Sequence, residues 1–193
     1  MGEIVIKANQ ALRVLLQCFT FRDKYHYIHL YKIYVRCHLE NSVPAWSPWT
    51  TQDISNIEAV QKRALRYCQG LNGQSYEEKL KEVGLTTLLN RRQRSDMIET
   101  FKILKGINDV DSQTWFSRVH EQHQKTRQAV TVSADGKCSF TDSIALPKAK
   151  LDVRKNFFSV RVVEKWNNLP ISVKTAASVD QFKQEFDRHF GGK

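Results

Sequence analysis

In the middle of this chain, a helix-capping signal is followed by apolar residues at helical spacing. Thr50 lies three residues before Asp53, the spacing of a capping box, in which side chains accept the free backbone N–H groups of a first helical turn. Apolar residues then follow at every third or fourth position as far as Cys68, and Gly70 is placed to end the helix. This pattern predicts a helix between Thr50 and Gly70 and directs the whole chain towards a helical fold.

The same signals predict helices along most of the sequence. Ser75 with Glu78 forms a full capping box, and Ser178 with Gln181 forms another. Asp23 has the side chain of a helix N-cap. The other predicted helices cover residues 4–19, 23–40, 75–84, 86–106, 152–167 and 178–190.

The stretch from 108 to 150 has a different character. It is polar and interrupted, and short β-prone runs at 130–132 and 139–141 flank Asp135 and Gly136, a turn pair typical of hairpins. We therefore predict a mainly α fold in three parts. These are a helical module over 1–107, a partly irregular connection with a β-hairpin over 108–150, and a C-terminal helical pair over 151–193.

Motifs that carry catalysis are missing from the sequence. A polymerase palm holds its metal ions with paired aspartates, and the nearest approach here, Asp109 and Asp111, lies in a polar turn where capping explains both residues. His120 and His123 have a spacing that could bind a metal on a helix, but no closely spaced cysteine pair accompanies them. We expect no catalytic residue, no metal ion and no cofactor.

The charge of the chain favours a polyanionic partner. Lys and Arg number 30 against 20 Asp and Glu, a formal net charge of +10. Cations that meet phosphates release condensed counterions, which is the main source of affinity for nucleic acids. The alternative is a basic protein whose charge serves solubility alone.

Basic residues cluster within the predicted helices, on the sides opposite their apolar stripes. Cations at fixed spacing suit a phosphate backbone, although charged outer faces are also the ordinary state of a solvated helix. The tyrosines from Tyr25 to Tyr34 could stack on bases, but a tyrosine stripe is more often part of a core. The candidate nucleic-acid-binding residues are Lys62, Arg63, Arg66, Arg91, Arg92, Arg94, Lys102, Arg154, Lys155 and Arg161.

Cysteine usage and hydropathy bear on the compartment. The four cysteines lie far apart with no CxxC pair, which favours free thiols in a reducing environment. No apolar run approaches the length of a membrane span, and the N-terminal residues do not form a signal peptide. We expect a nuclear or cytoplasmic protein with no membrane partner.

Several runs of sequence resemble one protein family. LYKIYVRCHLE at 30–40, followed by PAWSP at 44–48, resembles the LYKxYVRPHLEY…AWSP run of jockey-like non-LTR (LINE-type) retrotransposon reverse transcriptases. IEAVQKRA at 57–64 is similar to the LExVQRRA of that family. WNNLP at 166–170 and SVDQFK at 178–183 continue the resemblance in order, and it is weakest between 112 and 147.

The resemblance implies which part of the parent protein the chain represents and what that part does. In that family this region follows the catalytic palm and supplies the thumb and a C-terminal extension, so residues 1–107 are expected to form a thumb-like bundle. The implied activity is to hold template–primer, an RNA or an RNA–DNA hybrid, by its phosphate backbone. The parent polyprotein, an RNA-directed DNA polymerase, would supply an endonuclease and the palm, and a separate palm-containing polypeptide remains open as a partner.

The sequence departs from the family pattern where Cys37 replaces the usual Pro and Asn41 the usual Tyr. A different bend is therefore expected after the second helix. The rival hypothesis is a host-retained relic that acts as a protein-interaction or structural module. In that case Trp46, Trp49 and the nearby tyrosines, once covered by the palm, would be exposed and would promote self-association.

Overall fold

The computed structural model describes residues 2–118 and 143–190 and shows a helical protein. Helices account for 66% of these residues, and none of them belongs to a strand. An isolated antiparallel bridge joins Arg118 to Ile144. The prediction of a mainly α fold is confirmed, whereas the predicted hairpin around Asp135 and Gly136 lies outside the described residues.

The described helices vary widely in length. A π-helical segment, Tyr31–Val35, connects the second helix to the third. The α-helices are α1 (Gly2–Cys18), α2 (His26–Leu30), α3 (Arg36–Glu40), α4 (Val43–Trp46), α5 (Thr51–Arg66), α6 (Tyr76–Glu82), α7 (Leu88–Leu104), α8 (Ser112–Trp115), α9 (Asp152–Lys155), α10 (Phe158–Arg161), α11 (Val163–Asn167), α12 (Ile171–Lys174) and α13 (Val179–Phe190).

Residue contacts divide the chain into two units. Unit 1 is Met1–Ser95 and unit 2 is Asp96–Lys193, so the division falls within α7. Each unit has its own cluster of buried apolar residues.

The core of unit 1 forms where α1 packs against the π-helical segment, α3 and α5. Helix α1 buries Ala8, Leu12 and Leu15, which recur at the spacing of one helical face. From the other elements the core receives Tyr27, Ile28, Tyr31, Val35, Leu39, Ile57, Val60, Ala64, Leu65, Cys68, Leu71, Leu80, Leu85 and Leu88.

The π-helical segment explains which tyrosines are buried. In an α-helix, residues four positions apart differ by about 40° in their direction around the helix axis. A long run of residues at that spacing therefore turns gradually away from any one face. The wider π turn, in which the Arg36 N–H donates to the Tyr31 carbonyl, corrects this drift. Tyr27, Tyr31, Val35 and Leu39 therefore share one buried face. Tyr25 and Tyr34, by contrast, are 84% and 58% exposed.

The caps predicted from the sequence are present in unit 1. The Ser75 N–H donates to Glu78 Oε2 (2.7 Å) and the Glu78 N–H donates to Ser75 Oγ (3.3 Å), which completes a capping box at α6. At α5 the Asp53 N–H donates to Thr50 Oγ1 (3.2 Å). Asp23 Oδ2 accepts the N–H groups of Tyr25 and His26 in the turn before α2, although the N-cap residue of α2 itself is Tyr25. The bonds of Thr50 and Ser75 lie at the first turns of α5 and α6.

The α6 capping box predicts a pH-dependent contribution to the stability of unit 1. The backbone N–H of Ser75, followed by its hydroxyl, lowers the pKa of Glu78 below the ordinary value of 4.5. A depressed carboxyl pKa stabilises the fold above the unfolded-state pKa, and this contribution is lost as the pH falls through the folded-state pKa. Glu78→Gln should therefore be less stable than the wild type at pH 7, and the difference should shrink towards about pH 3.

Urea unfolding at the two pH values measures this difference, and Glu77→Gln, an exposed neighbour on the same turn, is the matched control. A deficit for Glu78→Gln that is the same at both pH values would contradict the assignment of the effect to the charge of the carboxylate.

The core of unit 2 is aromatic. Phe182 is fully buried, and its ring lies 4.5 Å from that of Phe101, 6.1 Å from that of Trp166 and 6.0 Å from that of Phe186 between centroids. The Ser178 cap of α13, which receives the Gln181 N–H (3.1 Å), places Phe182 and Phe186 one turn apart on the inner face.

The single helix predicted over 152–167 is wrong. The chain forms α9, α10 and α11 instead. Val162 separates α10 from α11, and α9 ends before α10 because Phe157 adopts an extended backbone (φ −66°, ψ 145°). This break leaves Phe157 44% exposed and buries Phe158. Phe158, Val162, Trp166 and Leu169 are nevertheless all buried, since all four follow the break and the helical turns there keep their spacing.

Candidate nucleic-acid interface

Three of the predicted cations lie together on the exposed side of α5. Lys62, Arg63 and Arg66 are all exposed, and at about 100° per residue they span about 100° of the helix circumference, with Arg66 between the other two. The Lys62 Nζ lies 5.1 Å from the centre of the Tyr76 ring, a cation–π distance. The prediction that these side chains face away from the core is confirmed.

A groove between α1 and α5 extends this cationic face. It has a volume of about 400 Å³, and Arg13, Arg63 and Tyr67 line it together with two polar and three apolar residues of α1. Arg63 Nη1 donates to Asn9 Oδ1 (2.7 Å), which holds the guanidinium at the edge of the groove. Tyr67 is 44% exposed. We refer to Arg13, Lys62, Arg63, Arg66 and Tyr67 as the α5 basic surface.

Sequence reasoning missed Arg13 and Tyr67. Arg13 is a lone cation on α1, where no cluster marks it, and it joins Arg63 only because α1 packs on α5. Tyr67 follows the last residue of α5, at the helix C-cap. The signal for Arg13 is tertiary, since it lies far before α5 in the sequence, whereas Tyr67 directly follows the predicted cation Arg66 and could have been found from the sequence.

Arg92 corrects one of the predictions for α7. It was expected to face away from the apolar stripe, but it is only 2% exposed. The buried side of α7 includes Leu88, Arg92, Asp96 and Thr100, four residues at i, i+4 spacing that spread over about 120° of the helix circumference, whereas Leu89 is 38% exposed. Arg92 therefore cannot meet a phosphate without a rearrangement of the helix.

The other α7 cations are engaged within the protein. Arg91 forms a bidentate pair with Glu40, in which Nη2 lies 2.9 Å from Oε2. Lys102 pairs with Glu99 at 3.4 Å. Arg94 is partly buried. A cation held by a carboxylate offers less to a phosphate, because the existing pair must first be broken.

The predicted cations of the C-terminal part include one that is mostly covered and two that are exposed. Arg161 is bound to both carboxylate oxygens of Asp96 (3.0 and 2.9 Å) and is mostly covered. Lys155 pairs with Asp152 at 2.8 Å while remaining exposed. Arg154 is exposed, with its guanidinium carbon 5.1 Å from the centre of the Phe157 ring. Of the predicted C-terminal cations, only Arg154 and Lys155 are exposed.

Other features of the described residues bear on the predicted chemistry. Asp111 caps α8 by accepting the Gln113 N–H (2.9 Å), as its turn position predicts. Within 2–118 and 143–190, no three His, Cys, Asp or Glu side chains are grouped so that they could hold a metal ion. His120 and His123 lie outside these ranges. No helix in the described part of the chain has the length and apolarity needed to cross a membrane.

No family model, no curated protein and no solved structure matches the chain.

Proposed function

We propose that the chain is a nucleic-acid-binding piece of a non-LTR retrotransposon reverse transcriptase, non-catalytic on its own, that grips template–primer through the α5 basic surface. The observation that carries the proposal is the grouping of four exposed or groove-lining cations beside an exposed tyrosine within unit 1. The family assignment comes from the resemblance of the sequence runs at 30–48 and 57–64. The partner is an RNA or an RNA–DNA hybrid.

The geometry of the surface suits a phosphate backbone. Lys62 and Arg66 lie one turn apart on α5, a rise of about 6 Å, and Arg13 and Arg63 continue the positive charge into the groove. Guanidinium groups form paired hydrogen bonds with phosphate oxygens, which makes arginine well suited to this contact. The Tyr67 ring at the groove can stack on a base without regard to its identity. Binding with little sequence preference is what template–primer retention requires.

The test is a triple substitution, Lys62→Gln with Arg63→Gln and Arg66→Gln. The wild type should bind a fluorescein-labelled RNA–DNA hybrid with an affinity that falls steeply with salt, because counterions are released on binding. Loss of three phosphate contacts should flatten the slope of log K against log [salt] by about 3. Fluorescence anisotropy over a range of salt concentrations measures the slope directly.

A matched control removes the same charge elsewhere. Lys81, Lys148 and Lys150 are exposed and outside the α5 basic surface, so their replacement by Gln gives the same net charge. This control should retain the wild-type slope within about one unit. Equal losses in both triple variants would mean that net charge, and not this surface, attracts the nucleic acid, and unchanged binding in the α5 variant would remove the proposed surface.

A second candidate function is a protein-interaction module, and exposed aromatic residues favour it. Phe21 is 73% exposed, Tyr25 84% and Trp49 51%, and such apolar area on a surface promotes association. Trp46, in contrast, packs partly against the core of unit 1, and its indole N–H donates to the Asn41 carbonyl. Light scattering without nucleic acid distinguishes the two functions, because a monomer that binds the hybrid tightly supports the first.

A further inference from the structure

The groove between α1 and α5 combines apolar and cationic side chains. Its lining includes Leu12, which is almost fully buried, and Ile6, which is 56% exposed. Arg13 and Arg63 are exposed residues of the same lining. Apolar side chains gain free energy when a ligand covers them, and arginines attract an anion. A ligand that suits this lining therefore has a flat or apolar part next to a negative charge.

The Tyr67 ring of the groove is held in position by the segment before α2. The guanidinium carbon of Arg22 lies 5.8 Å from the ring centre, a cation–π distance. The Gln69 N–H donates to the Arg22 carbonyl (2.8 Å), which joins the same two segments through their backbones. Tyr67 nevertheless remains 44% exposed. Because the ring is already positioned, a base that stacks on it costs little further side-chain entropy.

Two amide side chains of α1 add polar groups to the lining. Asn9 Oδ1 accepts a hydrogen bond from Arg63 Nη1 (2.7 Å). A guanidinium has five N–H donors, so this bond leaves others for a phosphate oxygen. Gln10 is exposed in the lining, and its amide offers both a donor and an acceptor to the edge of a base. The groove thus brings an aromatic ring, amides and arginines to one place.

The size of the groove suits a single nucleotide. Its volume of about 400 Å³ lies in the lower part of the range for small-molecule sites. A base within a duplex is stacked and paired, and it would have to leave the stack before it could enter the groove, at a cost in free energy. An unpaired base has a free face and can stack on an aromatic side chain directly.

We infer that this groove holds an unpaired base of a bound strand, with the adjacent phosphate on Arg13 or Arg63. The inference rests on the proposed function and makes its ligand more specific. The cations of α5 contact the duplex part of an RNA–DNA hybrid, and the groove takes the first unpaired nucleotides of its template strand. The preferred ligand is therefore a hybrid with a single-stranded extension.

The test compares two RNA–DNA hybrids whose template strands carry short extensions of equal length. One extension has normal bases and the other is abasic, so both present the same phosphates. The wild-type chain should bind the hybrid with bases about tenfold more tightly, because stacking of a base on an aromatic side chain contributes on this order. Fluorescence anisotropy at one salt concentration gives the ratio of the two dissociation constants.

Tyr67→Leu should remove this preference for bases, and a general loss of affinity cancels in the ratio. Tyr34→Leu is the matched control, since Tyr34 is 58% exposed and is not part of the groove lining. It should keep the wild-type preference. Acrylamide quenching of 2-aminopurine in the extension provides a second measurement: the base should be shielded in the wild-type complex and accessible in that of Tyr67→Leu. Circular dichroism checks that both variants are folded.

Equal binding of the two extended hybrids by the wild type overturns the inference, and so does an equal loss of the preference in Tyr34→Leu. The salt slope for a blunt hybrid tests the proposed function separately. A steep slope that the α5 triple variant flattens, without a preference for bases, contradicts the inference alone. A preference for bases with a slope that the triple variant leaves unchanged contradicts the grip by the α5 cations alone. Self-association that Tyr67→Leu abolishes, without a preference for bases, assigns the groove to a protein segment and overturns the inference.

Discussion

Phe182→Ala is expected to lower the free energy of unfolding of unit 2 by about 3–5 kcal/mol. The side chain is fully buried, and its ring contacts three other aromatic rings, those of Phe101, Trp166 and Phe186. Truncation removes the apolar area of a whole ring and leaves a cavity that rigid neighbouring rings cannot fill. Because α12 and α13 pack on each other around this position, the loss should extend over the C-terminal part of unit 2.

Hydrogen exchange read by mass spectrometry is the suitable measurement, since it reports each unit separately. Amides of α11 and α13 should lose protection in Phe182→Ala, while those of α5 should keep it. Phe190→Ala is the matched control, because Phe190 lies on the same helix and is 58% exposed. It should change the protection by less than about 1 kcal/mol. Equal effects of the two substitutions would show that the aromatic cluster does not hold unit 2 together.

The helix starts could be predicted because their causes are local. Ser75 and Glu78 are three residues apart, and the two bonds of their capping box form between neighbours whatever the rest of the chain does. The break at Phe157 has no such local cause. The sequence around it continues a helical apolar pattern, and the extended turn coincides with burial of Phe158 in the core of unit 2. Tertiary packing overrides the local preference there.

The candidate site was only partly predictable for the same reason. Lys62, Arg63 and Arg66 project from a helix whose apolar stripe is unambiguous, so their exposure follows from the helical period. On α7 the stripe includes Arg92, a residue type that is seldom buried, and a pattern based on hydrophobicity assigns it to the wrong face. Arg13 joins the surface through a contact between helices that are distant in sequence.

Several residues in the sequence runs that resemble the retrotransposon family have structural roles in unit 1. Gln61 is fully buried, accepts a hydrogen bond from the Tyr31 hydroxyl (3.0 Å), and donates to the Tyr76 hydroxyl and the Thr86 carbonyl (both 3.0 Å). Burial raises the pKa of Tyr31, so its hydroxyl remains a donor over the whole physiological range. Glu58 accepts the Leu88 N–H at 3.1 Å. These side chains join α5 to its neighbours, and the adjacent Lys62 and Arg63 are then presented to solvent.

Asp96→Ala should be about as damaging as loss of the aromatic ring, with an expected loss of about 3–5 kcal/mol. Asp96 and Arg161 form a bidentate pair, and their side chains are only 9% and 17% exposed. Removal of the carboxylate takes away two charge-assisted hydrogen bonds from a guanidinium that is mostly covered, and loss of one partner of a covered ion pair is costly. Arg161 Nη1 also donates to the Asn156 carbonyl (3.1 Å), which carries no formal negative charge.

A double variant separates the cost of removing one partner of the ion pair from the contribution of the pair to the free energy of unfolding. Asp96→Leu combined with Arg161→Met removes both charges, so it should destabilise unit 2 less than Asp96→Ala does, although it changes two residues. Asp180→Ala is the exposed counterpart: it removes the pair with Lys183, where Asp180 is 83% exposed, and should cost no more than about 1 kcal/mol. Urea unfolding of the four proteins supplies the comparison. A double variant less stable than Asp96→Ala would mean that the ion pair itself stabilises unit 2. Arg161 would then have a structural role and would not be a nucleic-acid-binding residue.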